Sequence, residues 1–491
     1  MIDNQELLIE NKALKKGNEN YRIERLSRWN WIADNQSSSL FSTYYHKRLE
    51  KIFSFLIPID SKVLEVGCGS GDLLASLQPA YGVGVDFSQK MVDHASAMHP
   101  GLRSICVDAH EMDTILGEEK FDYIILSDLL NDLWDVQTVL EQIHRHCNAN
   151  TRIIINFYSR LWQLPLSIAQ KVGLAKPLLI QNWLTKDDML NLLKLSGFEA
   201  IKTWSEILFP IPIPIIDQIF NRFLVKIWPF DAFAIANFMI ARPVAVNQAE
   251  ENKYSVSIIV PARNEEGNIE NIFKQIPQMG AGTELIFVEG NSKDDTYHMI
   301  EQVMKSHPEL SCGLFRQDGI GKGDAVRKGF SYARGDILMI LDADLTVSPE
   351  DLPRFYHAIV TNKGEFINGV RLIYPMEKEA MRFFNFLGNK FFSKAFSWLL
   401  GQPIKDTLCG TKVLWKRDYN LIVANRSYFG NFDPFGDFDL LFGAARLGLK
   451  IADLPIRYGE RTYGTTNIQR WRHGWLLFKM VIFAAGKIKF V

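Results

Sequence analysis

Residues 62–74 read Lys62-Val-Leu-Glu65-Val-Gly67-Cys-Gly69-Ser-Gly71-Asp-Leu-Leu: an apolar run, glycines on alternate positions, then the start of a helix. Glycine is required where a chain leaves a strand in a tight turn, and where backbone must approach a ligand with no β-carbon between them. Outward from this turn the alternation continues. Apolar runs GVGVDF, RSICVD, YIILSD and RIIINF follow, separated by helical stretches at Asp72–Leu77, Lys90–Met98 and Asp135–His146. Such alternation predicts βαβ units and a parallel sheet. Two further runs, EAIKTW (199–204) and ANFMIARP (236–243), end the pattern.

The polar stretch VAVNQAEENK (244–253) has no periodicity and precedes a fresh apolar strand, as a linker does. The alternation then restarts with SVSIIVPARN, ELIFVEG, CGLFRQD, DILMILDAD and EFINGVR. The expected organisation is two α/β domains, 41–243 and 254–470, with 1–40 as a helical or loose lead-in and 471–491 as an amphipathic C-terminal segment. A length of 491 residues suits two large domains.

A net charge of −1 gives no case for a nucleic-acid partner. Cys68, Cys106, Cys147, Cys312 and Cys409 lie in no CxxC spacing, which argues against a zinc ribbon and for a reducing compartment. The start, MIDNQELLIENKALKKG, lacks the apolar core of a signal peptide. The apolar stretch 207–240 is broken by Pro210, Pro212, Pro214 and Pro229 and by four charged residues. It falls short of the roughly 20 apolar residues that span a bilayer. A cytoplasmic location is expected. In 471–491, Arg472, Lys479 and Lys487 share one side of a helix, while Trp471, Trp475, Phe478, Ile482 and Ala485 share another. This is the pattern of a helix lying on the cytoplasmic membrane face. Leu476, Met480 and Phe483 intrude on its polar side, so a core helix packed on the first domain is the alternative.

Asp86 ends the second strand, where a carboxylate can take both ribose hydroxyls, and Asp108 ends the third, within reach of an adenine amino group. The glycine spacing is GxGxG rather than the dinucleotide GxGxxG, and a bare strand–helix turn is the plainer reading of the glycines alone. Taken in order, VLEVGCGSG, GVDFS, VDA and FDYIILSD resemble the class I S-adenosylmethionine-dependent methyltransferases over about residues 40–243. That resemblance implies a Rossmann-like seven-stranded sheet with the cofactor across the carboxyl ends of its first strands. It places Glu65, Gly67, Gly69 and Gly71 at the methionine part, Asp86 on the ribose, Asp108 and Ala109 at the adenine, and Ser127 with Asp128 closing the site. In-line methyl transfer is catalysed mostly by positioning, so no catalytic residue stands out. Asp128, Asn131 and Asp132 are candidates to orient an acceptor hydroxyl, or simply to cap.

In the second half, the apolar run Ile337–Leu341 ends in Asp342-Ala-Asp344. Paired carboxylates at the end of a buried strand need a cation, and a hard divalent ion completed by substrate phosphates supplies it. Helix capping is the alternative, because LTVSPEDL follows. Around this pair stand SIIVPARNEEGNI, ELIFVEGNSKDDT, Gly319-Ile-Gly321-Lys322-Gly323, Asn368-Gly-Val-Arg371, Asp406-Thr-Leu-Cys-Gly410-Thr411, Phe438-Asp439 and LPIRYGERTYGTTN. This ordered set resembles the family 2 glycosyltransferases, most closely the dolichyl-phosphate mannosyltransferases and their polyprenyl-phosphate relatives, over about 254–470.

The resemblance implies a GT-A type α/β domain. A nucleotide-sugar would be lined by Pro261, Ala262, Arg263, Asn264, Glu265, Glu289, Lys322 and Asp342, with Mg²⁺ or Mn²⁺ on Asp342 and Asp344. Arg371, Arg382 and Arg461 stand near the positions of phosphate-gripping arginines, a task that suits guanidinium forks. Two departures are visible. Glu289-Gly-Asn-Ser replaces the usual pair of aspartates, and Thr346 stands where that branch often has glutamine. A lipid-phosphate acceptor, with a second pKa of about 6, needs no base, whereas a sugar hydroxyl needs one, for which Asp439 or Asp437 is the candidate. The expectation is a bifunctional methyltransferase and inverting glycosyltransferase. A polysaccharide transferase acting on sugar hydroxyls and a non-catalytic role for one domain are the alternatives; the intact motifs of both halves argue against the last.

Overall fold

The computed structural model describes residues 4–35, 40–172, 179, 181–244, 252–371, 383–426, 438–457, 459, 463 and 470–490. Two units separate between Ala245 and Val246, and each is built on a seven-stranded sheet.

In the first unit the strands are β1 (Lys62–Val66), β2 (Tyr81–Asp86), β3 (Arg103–Cys106), β4 (Phe121–Ser127), β5 (Cys147–Tyr158), β6 (Phe198–Glu206) and β7 (Ala236–Pro243). Their order is β3-β2-β1-β4-β5-β7-β6, with β7 antiparallel to both of its neighbours and the first five strands parallel. Apolar residues point to both faces, as they must in a sheet covered on both sides. Helix α2 (Leu40–Leu56) buries Tyr45, Leu49, Ile52, Phe53 and Leu56 beside Val63, Ile125 and Phe238, a stripe at helical spacing. The expected lead-in contains a long helix, α1 (Asn4–Asp34), whose Arg25 is buried.

The second unit contains β8 (Val256–Ala262), β9 (Thr283–Glu289), β10 (Ser311–Arg316), β11 (Ile337–Ile340), β12 (Phe366–Val370), β13 (Lys412–Trp415) and β14 (Ile451–Pro455). The order is β10-β9-β8-β11-β13-β12-β14, with β13 antiparallel to β11 and β12. Neither β13 nor β14 announces itself in the sequence. β13 is four residues long and opens on a lysine, Lys412, which is fully buried with its ammonium on the Cys409 carbonyl. Both units are α/β, as expected, but the expected parallel sheets are mixed, because β7 and β13 run antiparallel to their neighbours.

One feature of connectivity positions both sites. β1 lies between β2 and β4, and β8 lies between β9 and β11, so the chain reverses its direction of travel across the sheet at each of these strands. Such reversals open a crevice at the carboxyl ends of the strands, where ligands of α/β sheets bind.

The C-terminal helix Arg470–Ala484 buries Leu477, Met480 and Ala484, with Ile488 of the following turn, against Phe396, Leu399 and Leu400 of the helix Phe383–Leu400. It is thus anchored on its own unit, and Met480, expected to disturb a polar face, is one of its anchors. Trp475, Phe478 and Ile482 remain exposed on its other side. Among the described residues no helix is long and apolar enough to cross a membrane.

The helix Lys322–Tyr332 packs so closely on β8 that a β-carbon at Gly329 would lie 2.5 Å from the Ile259 Cγ2 methyl. Gly329→Ala should therefore lower the stability of the second unit by about 1–3 kcal/mol, the usual cost of overpacking. Urea unfolding of the two proteins side by side measures it.

Candidate functional sites

A cavity of about 780 Å³ opens at the carboxyl ends of β1, β2 and β4. Glu65, Gly67, Gly69, Asp86, Asp108, Ala109, Ser127 and Asp128 all line it; Gly71 lies just beyond, ending the turn. The turn needs its glycines for two different reasons. All three have positive φ (76°, 51° and 76° at Gly67, Gly69 and Gly71), which only glycine adopts freely. A β-carbon at Gly67 would also strike Leu129 at 2.7 Å, whereas one at Gly69 meets no protein atom within 4 Å. Close approach to a ligand is thus an argument for Gly69, while Gly67 is constrained by the protein itself.

The carboxylates of this cavity are held in different states. Asp86 accepts the Gly69 amide at 3.0 Å and the Ser88 amide at 2.9 Å, which ties the glycine turn to β2; burial nevertheless raises its pKa. Glu65 is buried with Oε2 unpartnered, and burial pushes its carboxyl up to about 8. That orphaned oxygen and the open face of Gly69 fit a ligand carrying ammonium or hydroxyl donors, as S-adenosylmethionine does. At Asp108 burial also pushes upward, but the bonds from the His110 ring and amide and the nearby Arg22 outweigh it and hold the group low. Its carboxylate is 2.7 Å from the His110 ring and 3.4 Å from Arg22.

Three further elements contribute beyond the sequence motifs: α1, α2 and β5. Helix α1 presents Arg22, Arg25 and Arg28 to the cavity, and Arg25 donates to the Asp132 carbonyl at 3.1 Å. Their spacing of three places them on one helix face, a signal that was there to be read. From α2, Tyr45 donates to Asp128 Oδ1 at 2.8 Å, and Asn156 of β5 donates to the same oxygen at 2.6 Å. Burial pushes Asp128 up to about 7 in spite of both bonds. Asn131, by contrast, is a strut: it donates to the Asn182 carbonyl and accepts the Tyr158 amide.

In the second unit the candidate residues gather at the carboxyl ends of β8, β9 and β11. Asn264, at φ 58°, accepts the Lys293 amide at 2.7 Å, while its own amide reaches Ser292 Oγ at 3.0 Å. Glu265 is buried and accepts from Asn268. Glu289 is buried and takes the Ser292 amide at 2.5 Å, so it braces this turn. Pro261 and Ala262 close β8 beside it, and Arg263 is exposed.

Asp342 faces Lys322, whose Nζ lies 2.5 Å from Oδ1. Burial pushes this carboxyl up, but Lys322, then Arg371 and Lys412, outweigh it and hold it below the usual range. A β-carbon at Gly410 would lie 2.0 Å from Asp342 Oδ2 and 2.3 Å from the Lys322 ammonium, so glycine is obligatory there. Asp344 takes both the amide and the hydroxyl of Thr346, at 3.2 and 2.7 Å. Thr346 thus steadies the second carboxylate where another side chain is common. Two hard oxygen donors walled by a β-carbon-free backbone fit a divalent ion completed by phosphate oxygens. Among the described residues no three His, Cys, Asp or Glu side chains gather to hold an ion by themselves. The Gly459 amide bonds the Thr346 carbonyl, and the Tyr463 ring covers Gly267, which brings the last motif to the same edge.

Other candidates are engaged elsewhere. Arg371 is buried in a bidentate pair with Asp406, at 2.7 and 2.9 Å. Asp439 accepts from Arg426 at 2.9 Å. Arg382, Asp437 and Arg461 lie outside the described residues.

Comparison with known proteins agrees with this division. Residues 64–153 match the family model described as a methyltransferase domain, and residues 257–419 match glycosyl transferase family 2. The chain is a fusion of a methyltransferase domain and a family 2 glycosyltransferase domain. Dolichol-phosphate mannosyltransferase of Pyrococcus furiosus is 27% identical over 225 residues, 44% of this chain and 59% of that protein. The chain therefore spans less than two thirds of the length of this relative. Magnesium protoporphyrin IX methyltransferase from Synechocystis, solved with bound SAH, covers 48% of this chain and 99% of its own at 18% identity and a TM-score of 0.31. Glucosyl-3-phosphoglycerate synthase from Mycobacterium tuberculosis, solved with Mn²⁺ and UDP, covers 48% and 80% at 19% identity and a TM-score of 0.35.

The raised pKa of Asp128 has a measurable consequence. Between about pH 4, where the unfolded carboxyl ionises, and about 7, where the folded one does, the native state keeps a proton that the unfolded state has lost. Stability of the ligand-free first unit should fall as pH rises through that window, by at most about 1.4 kcal/mol per unit from this group. Asp128→Asn should gain on wild type across the same window and hold a constant advantage above it, as followed by denaturant unfolding in a pH series.

Proposed function

We propose that residues 41–243 transfer a methyl group from S-adenosylmethionine, and that residues 254–470 transfer a sugar, with inversion, from a nucleotide-sugar to a polyprenyl phosphate. The observation that carries the reading is the gathering of Lys322, Asp342, Asp344 and Thr346 at the end of β11. The domain's relative in Pyrococcus furiosus is named for dolichol phosphate, which supports a lipid-phosphate acceptor.

S-adenosylmethionine would supply a methyl group already activated on a sulfonium. Asp86 fixes the glycine turn through the Gly69 amide, so the backbone that meets the cofactor is set before binding. Asp128, held by Tyr45 and Asn156, is placed to take the proton of an acceptor hydroxyl.

In the second unit, Asp342 and Asp344 would hold Mg²⁺ or Mn²⁺, which supplies charge neutralisation for the departing nucleoside diphosphate. Lys322 adds an ammonium at the same carboxylate. Since Arg371 is committed to Asp406, its part is to shape the pocket, and phosphate contact falls to Lys322, Arg263 and Arg461. A lipid phosphate arrives ionised and requires no base. The pairing of Asp439 with Arg426 favours this acceptor over a sugar hydroxyl, for which Asp439 would have to receive a proton. The exposed Trp475, Phe478 and Ile482, with Lys479 over the Trp475 ring, suit contact with the cytoplasmic membrane face.

Titration calorimetry of the full chain with S-adenosylmethionine should show binding that Gly69→Val weakens by more than about tenfold, equivalent to about 1.4 kcal/mol of clash. Equal binding by the variant rejects the cofactor site.

Transfer of sugar from a nucleotide-sugar to polyprenyl phosphate should stop on addition of EDTA. Asp344→Asn keeps the shape and removes a charge, so the Mn²⁺ concentration for half-maximal transfer should rise by at least about tenfold. Chelator-insensitive transfer rejects the metal assignment.

A further inference from the structure

We propose that the first unit docks on a lipid bilayer through an apolar face formed by residues 160–172 and 207–235, beside which its methyl-acceptor cavity lies. The segment 207–235 is built with its polarity inverted. Asn221 is buried and is the hub of its hydrogen bonds, accepting the Leu208 and Phe209 amides at 2.8 Å each and donating to Tyr44 Oη at 2.9 Å. Lys226 is paired with buried Glu206, which Arg48 also meets at 3.4 Å. Apolar side chains face outward instead: Trp228 is 83% exposed and Ile215 70%, and Phe233 stands out beside them. In the helix Gln163–Lys171 the same holds for Leu164, at 73%, and Ile168. The two segments are joined where Trp162 Nε1 donates to the Phe233 carbonyl at 3.1 Å. Surfaces of this kind, held rigid from within, are interaction sites.

Charge selects the occupant. Arg160, Lys171 and Arg222 of these two segments are exposed, residues 160–172 contain no acid, and the acids of 207–235, Asp217 and Asp231, are half-buried. Tryptophan and phenylalanine amid aliphatics, with exposed cations in the same segments, match the interface of an anionic bilayer.

Topology links the face to the cavity. β5 ends at Tyr158 and β6 at Glu206, while antiparallel β7 begins at Ala236. All three junctions therefore lie at the sheet edge to which parallel β4 delivers Asp128. A single turn of α2 serves both, since Tyr44 bonds Asn221 of the face and Tyr45 bonds Asp128 of the cavity. A methyl acceptor anchored in the bilayer would thus meet the pocket without leaving its lipid. This consequence rests on the methyltransferase reading above, whereas the docking does not.

The test is flotation of the full chain with vesicles of phosphatidylcholine and phosphatidylglycerol. It is run for wild type, for Ile215→Ser/Trp228→Ser/Phe233→Ser, and for Leu164→Ser/Ile168→Ser, whose side chains are too exposed to support the core. S-adenosylmethionine titration of each protein reports separately on the fold and on the cofactor reading. Each set of changes should lower the vesicle partition coefficient by about tenfold or more while leaving the titration as in wild type. Unchanged flotation by both variants overturns the proposal. So does a wild-type dimer that both variants dissociate without loss of flotation, which would assign the face to a second copy.

Discussion

Asp342 stands at the end of a strand whose four residues are all buried, and a carboxylate there is tolerable only against a cation. Much of the second unit follows from that pairing. Lys322 reaches Asp342 because its helix begins at the sheet's carboxyl edge, and the helix lies close enough because Gly329 adds no side chain between it and Ile259. Gly410 then closes over the pair at a distance no other residue permits. The buried Arg371–Asp406 pair and Lys412 stand behind it, so the far side of the site is a lattice of matched charges. On the proposed reading a divalent ion would meet Asp342 held ionised by Lys322 and Asp344 held in place by Thr346, and would need only to share Asp342 with a lysine that phosphate can also attract.

The first unit meets the same constraint without metal-like charge. Its cavity carboxylates are accommodated by backbone amides at Asp86, by a retained proton at Glu65 and, below about pH 7, by one at Asp128. The difference suits the two leaving groups of the proposed reactions. A nucleoside diphosphate departs with accumulating negative charge and calls for cations. A sulfonium loses its positive charge on transfer, so fixed cations at the reacting centre would serve no purpose there. The arginines of α1 accordingly lie on the rim of the cavity, against Asp108 and Asp132, rather than at the glycine turn.

What could be read from the sequence was whatever repeats at short range. Glycine turns, apolar runs and strand-end aspartates are local, and they led to the right strands from β1 to β12. The short β13 escaped because a buried lysine opens it, and its place in the sheet is decided by pairing with β11 and β12, about 45 to 75 residues earlier. Partnerships across long separations were equally invisible. Arg371 looks like a phosphate grip until Asp406, 35 residues on, occupies it. Tyr45 carries no sign that it will meet Asp128, 83 positions away. The C-terminal helix shows the same limit: its sequence presents two sides, but which one faces protein depends on the helix Phe383–Leu400.

The outward apolar residues of the two units bear on one another through the chain that joins them. Trp475, Phe478 and Ile482 form a small patch, too few side chains to hold a protein of 56.2 kDa on a bilayer against dilution. The face of the first unit is larger but only lightly charged. If both faces bind lipid as proposed, covalent linkage changes the arithmetic: with one face bound, the other would search a small volume at high effective concentration, and the two partition constants would combine multiplicatively. Each contact can then stay individually weak. Weak contacts release quickly, which lets an enzyme move between lipid-borne acceptors; a spanning helix would secure residence at the expense of that exchange. On the proposed membrane contacts, fusion of the two domains would thus have a physical rationale independent of any passage of product between their sites.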